Sequence, residues 1–283
     1  MRRIFPKIIE QLMTKDKKIF CLLGDIGIFS FRNIFKKFAN RILNMSTMEQ
    51  TMLGFGAGLS KAGYIPVIHT ITPFLVLRAL EQIKVDFVYN KLSCNIVSVG
   101  GSNDYAKLGT THHCFEDISV LSNYDDINLF LPSNPQEFDY LFKKNYKNNS
   151  VNYFRMSGNV GKKLIKNNSF IKRNKNKKII IIVGNAANSE IFFNQKMDVY
   201  FLNSISKKMN FDFIKKYKKV IIIEPYFGSI LERKIRKKNF LDTKILSIGY
   251  NETIIHKYGD KIAQDKYLKF NNESILKKIH EFK

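Results

Sequence analysis

The chain has 283 residues, with 47 Lys and Arg against 24 Asp and Glu, a formal net charge of +23. Its 45% hydrophobic and 13% aromatic content is enough to bury a core, which excludes a disordered tail protein. The charge is lopsided: residues 1–142 hold 15 basic and 13 acidic side chains, residues 143–283 hold 32 and 11.

Apolar positions at helical spacing (Ile4, Phe5, Ile8, Ile9, Leu12) predict a helix over 3–14. The run 19–23 reads as a buried strand that stops at Gly24 and Asp25. A helix is expected over 47–62. Gly54, Gly56 and Gly58 inside it imply close packing against another backbone. Strands are predicted at 66–70, 95–99 and 127–131, a helix over 73–89, and helical spacing again at 115–121. Strands alternating with helices argue for a parallel α/β sheet. Residues 161–178 are polar, basic and low in complexity, which suits an exposed linker. Beyond them 179–183, 200–202, 220–223 and 244–248 read as strands and 274–282 as a closing helix, a second and smaller α/β domain.

Cys21, Cys94 and Cys114 stand at unrelated spacings, so neither a disulfide framework nor a metal site is expected. The N-terminus lacks the long apolar core of a signal peptide. No window reaches 18 uncharged apolar residues, and a cytoplasmic protein with no membrane partner is expected.

Four blocks carry a family resemblance. Gly24, Asp25 and Ile26 with Ser30, Phe31 and Arg32 form the first. Residues 41–50, ending in Glu49 and Gln50, then Gly54, Gly56, Ala57 and Gly58, form the second. The third runs from His69, Thr70 and Ile71 through Phe74 to Arg78 and residues 79–82. The fourth is Gly109 to Asp117 with His112, His113 and Glu116, trailed by 132–137. In this order the blocks resemble the pyrimidine-binding domain of the transketolase and deoxyxylulose-phosphate synthase family, followed by that family's C-terminal domain. The resemblance implies two α/β domains: a parallel-sheet pyrimidine-binding domain over 1–160, the basic linker 161–178, and a smaller transketolase C-terminal-like domain over 179–283.

The resemblance also implies thiamine diphosphate as cofactor. Glu49 matches the carboxylate that bonds N1′ of the aminopyrimidine and favours the imino tautomer, in a dry site between two packed subunits. Phe74 matches the ring that stacks on the pyrimidine. Ile71 stands where the family often has another aromatic. His112 matches the histidine facing donor hydroxyls, with His113 beside it as a second substrate candidate. Arg32 and Arg155 match positions that grip a sugar phosphate. Taken alone, Glu49 is an acid in a first helical turn and Phe74 a core aromatic.

Two departures qualify the match. Lys107 and Leu108 replace the acidic pair that reads a donor hydroxyl, which opens the identity of the ketose. The chain has no Gly-Asp-Gly with its following Asn, the elements that hold Mg²⁺ and the diphosphate. The expectation is therefore the C-terminal subunit of a split transketolase. An N-terminal subunit would carry the diphosphate-binding domain and Mg²⁺, in an alpha2beta2 heterotetramer acting on sugars or sugar phosphates. The rivals are the β subunit of a 2-oxo-acid dehydrogenase, a deoxyxylulose-phosphate synthase, and a non-catalytic basic scaffold binding polyanions. The Thr-His-His block argues against the dehydrogenase and the split chain against the synthase. No basic stretch shows a nucleic-acid-binding pattern, so no nucleic-acid partner is expected.

Overall fold

The computed structural model describes residues 1–158, 165–173, 176–188, 196–237, 243–251 and 254–282. The first unit alternates helix and strand: α1 (Phe5–Lys15), β1 (Ile19–Leu23), α2 (Ile28–Lys37), β2 (Ile42–Asn44), α3 (Glu49–Lys61), β3 (Ile65–Ile71), α4 (Thr72–Val76) and α5 (Leu80–Gln82). After a π-helical stretch (Ile83–Tyr89) come β4 (Cys94–Val99), α6 (Asp117–Leu121), β5 (Ile127–Phe130), α7 (Pro135–Asn145) and β6 (Val151–Met156). The second unit contains β7 (Ser169–Lys172), β8 (Lys178–Val183), β9 (Asp198–Leu202), β10 (Ser204–Ile205), β11 (Lys219–Phe227), α8 (Ile230–Arg236), β12 (Lys244–Tyr250), α9 (Lys261–Tyr267) and α10 (Asn272–Glu281).

The larger sheet has the order β10-β5-β6-β4-β3-β1-β2 and is parallel except for β10. Side chains alternate between its faces with period two. Cys21 and Leu23 of β1 join Val67, Val97 and Phe154 under α1, α2 and α7, while Leu22 joins Ile68, Ile96 and Tyr153 under α3, α4 and α6. Both faces are covered, as a parallel sheet requires. The second sheet has the order β12-β11-β8-β9-β7, parallel except for β7. The isoleucines of β8 feed two clusters: Ile179 and Ile181 share one with Leu129, Val151 and Tyr153 of the first sheet. The two units thus share a core, and β10 crosses from the second unit to pair with β5.

Among the elements that differ from expectation, three have a clear physical reason. Within 161–178, Ser169–Lys172 is an edge strand of the second sheet, because Phe170 packs its ring 5.0 Å from Tyr200 and 5.4 Å from Phe213. Residues 161–164 and 174–175 lie outside the described residues. β6 was hidden by polar residues, yet each is satisfied inside: Asn152 Nδ2 donates to Asn95 Oδ1 at 3.1 Å, and the Tyr153 hydroxyl lies 2.7 Å from both Ser98 Oγ and Asp117 Oδ2. The helix expected over 73–89 is broken into α4, α5 and the π-helical stretch.

Candidate active site

In the first sheet the chain leaves β1 for β2 on one side and returns through α3 to β3 on the other. Such a reversal opens a crevice beyond the carboxyl ends of the strands, where α/β folds bind ligands. Gly24 closes β1 there. Its N–H donates to the His69 carbonyl at 2.9 Å, and the Thr70 hydroxyl donates back to the Gly24 carbonyl at 3.0 Å. A Cβ at Gly24 would lie 2.7 Å from Thr70, so no larger residue fits.

Glu49 follows β2 and opens α3, only 1% exposed. Arg78 Nη1 donates to its Oε2 at 2.7 Å. Its Oε1 is buried with no hydrogen-bond partner. An unsatisfied buried acceptor costs about 1–3 kcal/mol, so this oxygen is set for a donor the chain does not supply. The helix break explains Arg78. The N–H groups of Leu77 and Arg78 both donate to the Pro73 carbonyl, at 2.9 and 3.3 Å, and the chain turns before α5 and the π-helical stretch, a feature frequent at functional sites. The Arg78 guanidinium also lies 4.5 Å over the Phe74 ring. On Phe74, in turn, the His112 ring packs edge-on at 5.2 Å. Glu49, Arg78, Phe74 and His112 therefore form one continuous series drawn from the ends of three strands.

His112 and His113 diverge. His112 is half-buried, its Nδ1 2.9 Å from the Thr111 hydroxyl. His113 turns inward against Phe115, and burial lowers its pKa below the ordinary histidine value, which keeps it neutral near pH 7. As it stands His113 is a packed core group. Ile71 is half-buried and packs toward the α1–α2–α7 layer.

The arginines do not meet the expectation equally. Arg155 is 2% exposed; its Nε donates to Asp117 Oδ2 at 2.7 Å and its Nη2 to Ser102 Oγ at 2.7 Å. It lies directly under Gly101, where a Cβ would come within 2.4 Å of the guanidinium. The expected open phosphate grip is thus corrected to an internal ion pair beneath the site, because Asp117 and Ser102 already use the fork. Arg32 is exposed on α2, its guanidinium 4.3 Å over the Phe29 ring. A cation missed in the sequence is Arg2. It is exposed, its charge acts on the Tyr105 side chain, and it has Nε and Nη2 3.9 Å from a Cβ built on Gly27. Nothing in the sequence singled out one arginine in so basic a terminus. Among the described residues no three His, Cys, Asp or Glu side chains converge as metal ligands, and no helix is long and apolar enough to cross a membrane.

Residues 1–160 match the model of the transketolase pyrimidine-binding domain. The chain belongs to this family. It is 31% identical over 158 residues to an uncharacterized 33.6 kDa protein of the fasciation locus of Rhodococcoides fascians, covering 56% of this chain and 51% of that one. It is 37% identical over 102 residues to an apulose-4-phosphate transketolase subunit of Actinobacillus succinogenes, covering 36% and 33%. The chain thus spans about half the length of the first relative and a third of the second. Its fold superposes on a split-gene transketolase solved as an inactive β4 tetramer, with a TM-score of 0.80, 18% identity, and 99% and 96% of the two chains covered. That last likeness speaks to the fold. The family's aminopyrimidine ring, an apolar plate with a protonatable nitrogen, suits the donor-seeking Glu49 Oε1 and the adjoining Phe74 ring of this transketolase-family chain.

Proposed function

We propose that this chain is the pyrimidine-binding subunit of a two-subunit, thiamine-diphosphate-dependent transketolase, acting in the cytoplasm as an alpha2beta2 assembly. The observation that carries the reading is Glu49: a buried carboxylate with one oxygen held by Arg78 and the other lacking a donor. Glu49 Oε1 would accept from N1′ of the aminopyrimidine, and Phe74 would stack on the ring. When bound, the cofactor supplies the electron sink that lets a carbon–carbon bond beside a ketose carbonyl be cut and remade. Glu49 holds a proton at the ring nitrogen, Arg78 fixes the carboxylate's rotamer, and burial excludes water that would compete for Oε1. His112, tethered through Nδ1 to Thr111, leaves its other nitrogen for a donor hydroxyl.

Arg2 and Arg32, both exposed, are the cations offered to a phosphorylated substrate end; Arg155 supports the loop below. Lys107 and Leu108 stand exposed where an acid would read a hydroxyl, which favours a donor other than an ordinary ketose phosphate. The lack of Gly-Asp-Gly in the sequence supports a partner subunit that brings Mg²⁺ and the diphosphate site. The test is reconstitution with a subunit carrying Gly-Asp-Gly and its Asn. Ketol transfer is expected only when both chains, Mg²⁺ and thiamine diphosphate are present. Tight binding of the whole cofactor by this chain alone, or no transfer by the complex with any ketose tried, overturns it.

A further inference from the structure

The loop between β4 and α6 carries His112, and its own short 3-10 turns are only part of what holds it. Gly100, Ser102 and Gly109 all lie at positive φ (83°, 56° and 78°), which is strained for the serine. Within the loop, a backbone bridge joins Ser102 to Cys114 at 2.6 and 2.8 Å. From the first unit, Arg155 Nη2 donates to Ser102 Oγ at 2.7 Å and the Gly158 N–H to Asp104 Oδ2 at 2.9 Å; further support comes from the second unit. The Ser102 hydroxyl donates to the Pro225 carbonyl, and the Phe227 N–H donates to the Phe115 carbonyl at 2.9 Å. The Thr110 hydroxyl donates to the Ile255 carbonyl at 2.5 Å, and Gln264 Nε2 reaches the Ala106 carbonyl at 3.4 Å.

One polar knot dominates this contact. Asn103 of the loop is 0% exposed. Its Oδ1 accepts from Lys261 Nζ at 2.6 Å and its Nδ2 donates to Asp265 Oδ1 at 2.9 Å. Lys261 Nζ also donates to the Tyr250 hydroxyl at 2.9 Å and to Asp265 Oδ1 at 3.1 Å, and that hydroxyl donates to Asp265 at 2.8 Å. Lys261 and Asp265 are successive turns of α9, and Tyr250 ends β12. Four side chains from loop, strand and helix thus satisfy one another in a largely buried place, where a half-satisfied network would cost more than an apolar one.

We infer that α9 of the second unit is a positioning clamp: Lys261 and Asp265, through Asn103, fix the loop that sets His112 against Phe74. Lys261 touches no residue of the Glu49–Arg78–Phe74–His112 series; it acts through the loop and is a positioning residue. The inference rests in part on the proposed function, because the value of a fixed His112 lies in that reaction.

Two measurements separate the two ideas. Hydrogen exchange, read by mass spectrometry on the full chain alone, needs neither cofactor nor partner. In Lys261→Met, amides of 101–115 should exchange about tenfold faster or more, the size a lost charge-assisted hydrogen bond implies, while β1, β3 and β8 stay protected. Lys261→Arg, which keeps a cationic donor, should restore most of that protection. In the reconstituted complex Lys261→Met should lower kcat roughly 10- to 100-fold with a smaller change in cofactor affinity, because a misplaced group costs rate more than binding. Unchanged exchange at 101–115, or an increase spread evenly over both sheets, overturns the clamp. So does a variant whose loss lies wholly in KM. A complex that transfers no ketol even with the wild-type chain would overturn the proposed function, while the exchange result would still decide the clamp.

Discussion

Glu49 holds its two carboxylate oxygens in different situations: Oε2 takes Arg78 at 2.7 Å, and Oε1 is buried without a donor. The division makes Arg78 more than a neighbour, since it fixes the rotamer that leaves Oε1 facing an open demand. Arg78 is half exposed, so solvent shares its charge and the pair is worth less than a fully buried one. Arg78→Met should cost about 1–2 kcal/mol of stability, from a carboxylate left unpaired, as read by urea unfolding of the chain. No measurable loss would mean that Glu49 needs no partner in the folded chain. At this scale residue type and order marked Glu49, Phe74 and His112 as candidates, and the fold brings them into one series. The sequence placed Arg78 in a matching block but gave it no partner, because uninterrupted helical spacing over 73–89 concealed the break that turns the arginine back. It also overrated Arg155, since only packing reveals that Asp117 and Ser102 occupy its guanidinium.

The elements that sequence periodicity displayed best are those whose burial is uniform. β8, with Ile179 to Ile182 fully buried, reads directly as a central strand, as do β1 and β3. β6 and β7 were missed for opposite reasons: one buries polar groups that satisfy each other, the other is a short edge strand in lysine-rich surroundings. β11 adds a buried acid to an apolar run. Glu224 is enclosed, its Oε1 accepting from Ser247 Oγ at 3.0 Å and its Oε2 from the Leu231 N–H at 3.3 Å, and burial pushes its carboxyl up to about 7. In the unfolded chain this group ionises near 4.5, while the folded chain keeps the proton until about 7. Stability therefore falls as pH rises through that window, by roughly 3 kcal/mol for this group. Glu224→Gln should match the wild type near pH 4.5 and exceed it by about that amount at pH 7.5, in urea unfolding at each pH. A difference that does not change with pH would contradict the assignment.

Across the whole molecule the charge of +23 gathers in the back half of the chain. Part of it is crowded: Lys219 of β11 pairs in register with Lys178 of β8 and Lys244 of β12. Partial desolvation and the charges of those two neighbours lower the Lys219 ammonium below the usual lysine value. Like charges side by side across strands destabilise and are screened by salt. Lys219→Thr should raise the thermal midpoint at low salt, and the gain should shrink at 0.5 M NaCl; a gain independent of salt would point to packing instead. The alternation of helix and strand in both units was legible in the sequence. The continuous core and the clamp on the His112 loop were not, since they arise from contacts between residues more than 100 positions apart. The central claim is that Glu49 activates a cofactor shared with a partner subunit. Its most direct test is ketol transfer by the reconstituted complex, wild type against Glu49→Ala, at saturating thiamine diphosphate and Mg²⁺. The account predicts a fall of about 100-fold or more with the complex still assembled; undiminished transfer by the Glu49→Ala complex would contradict it.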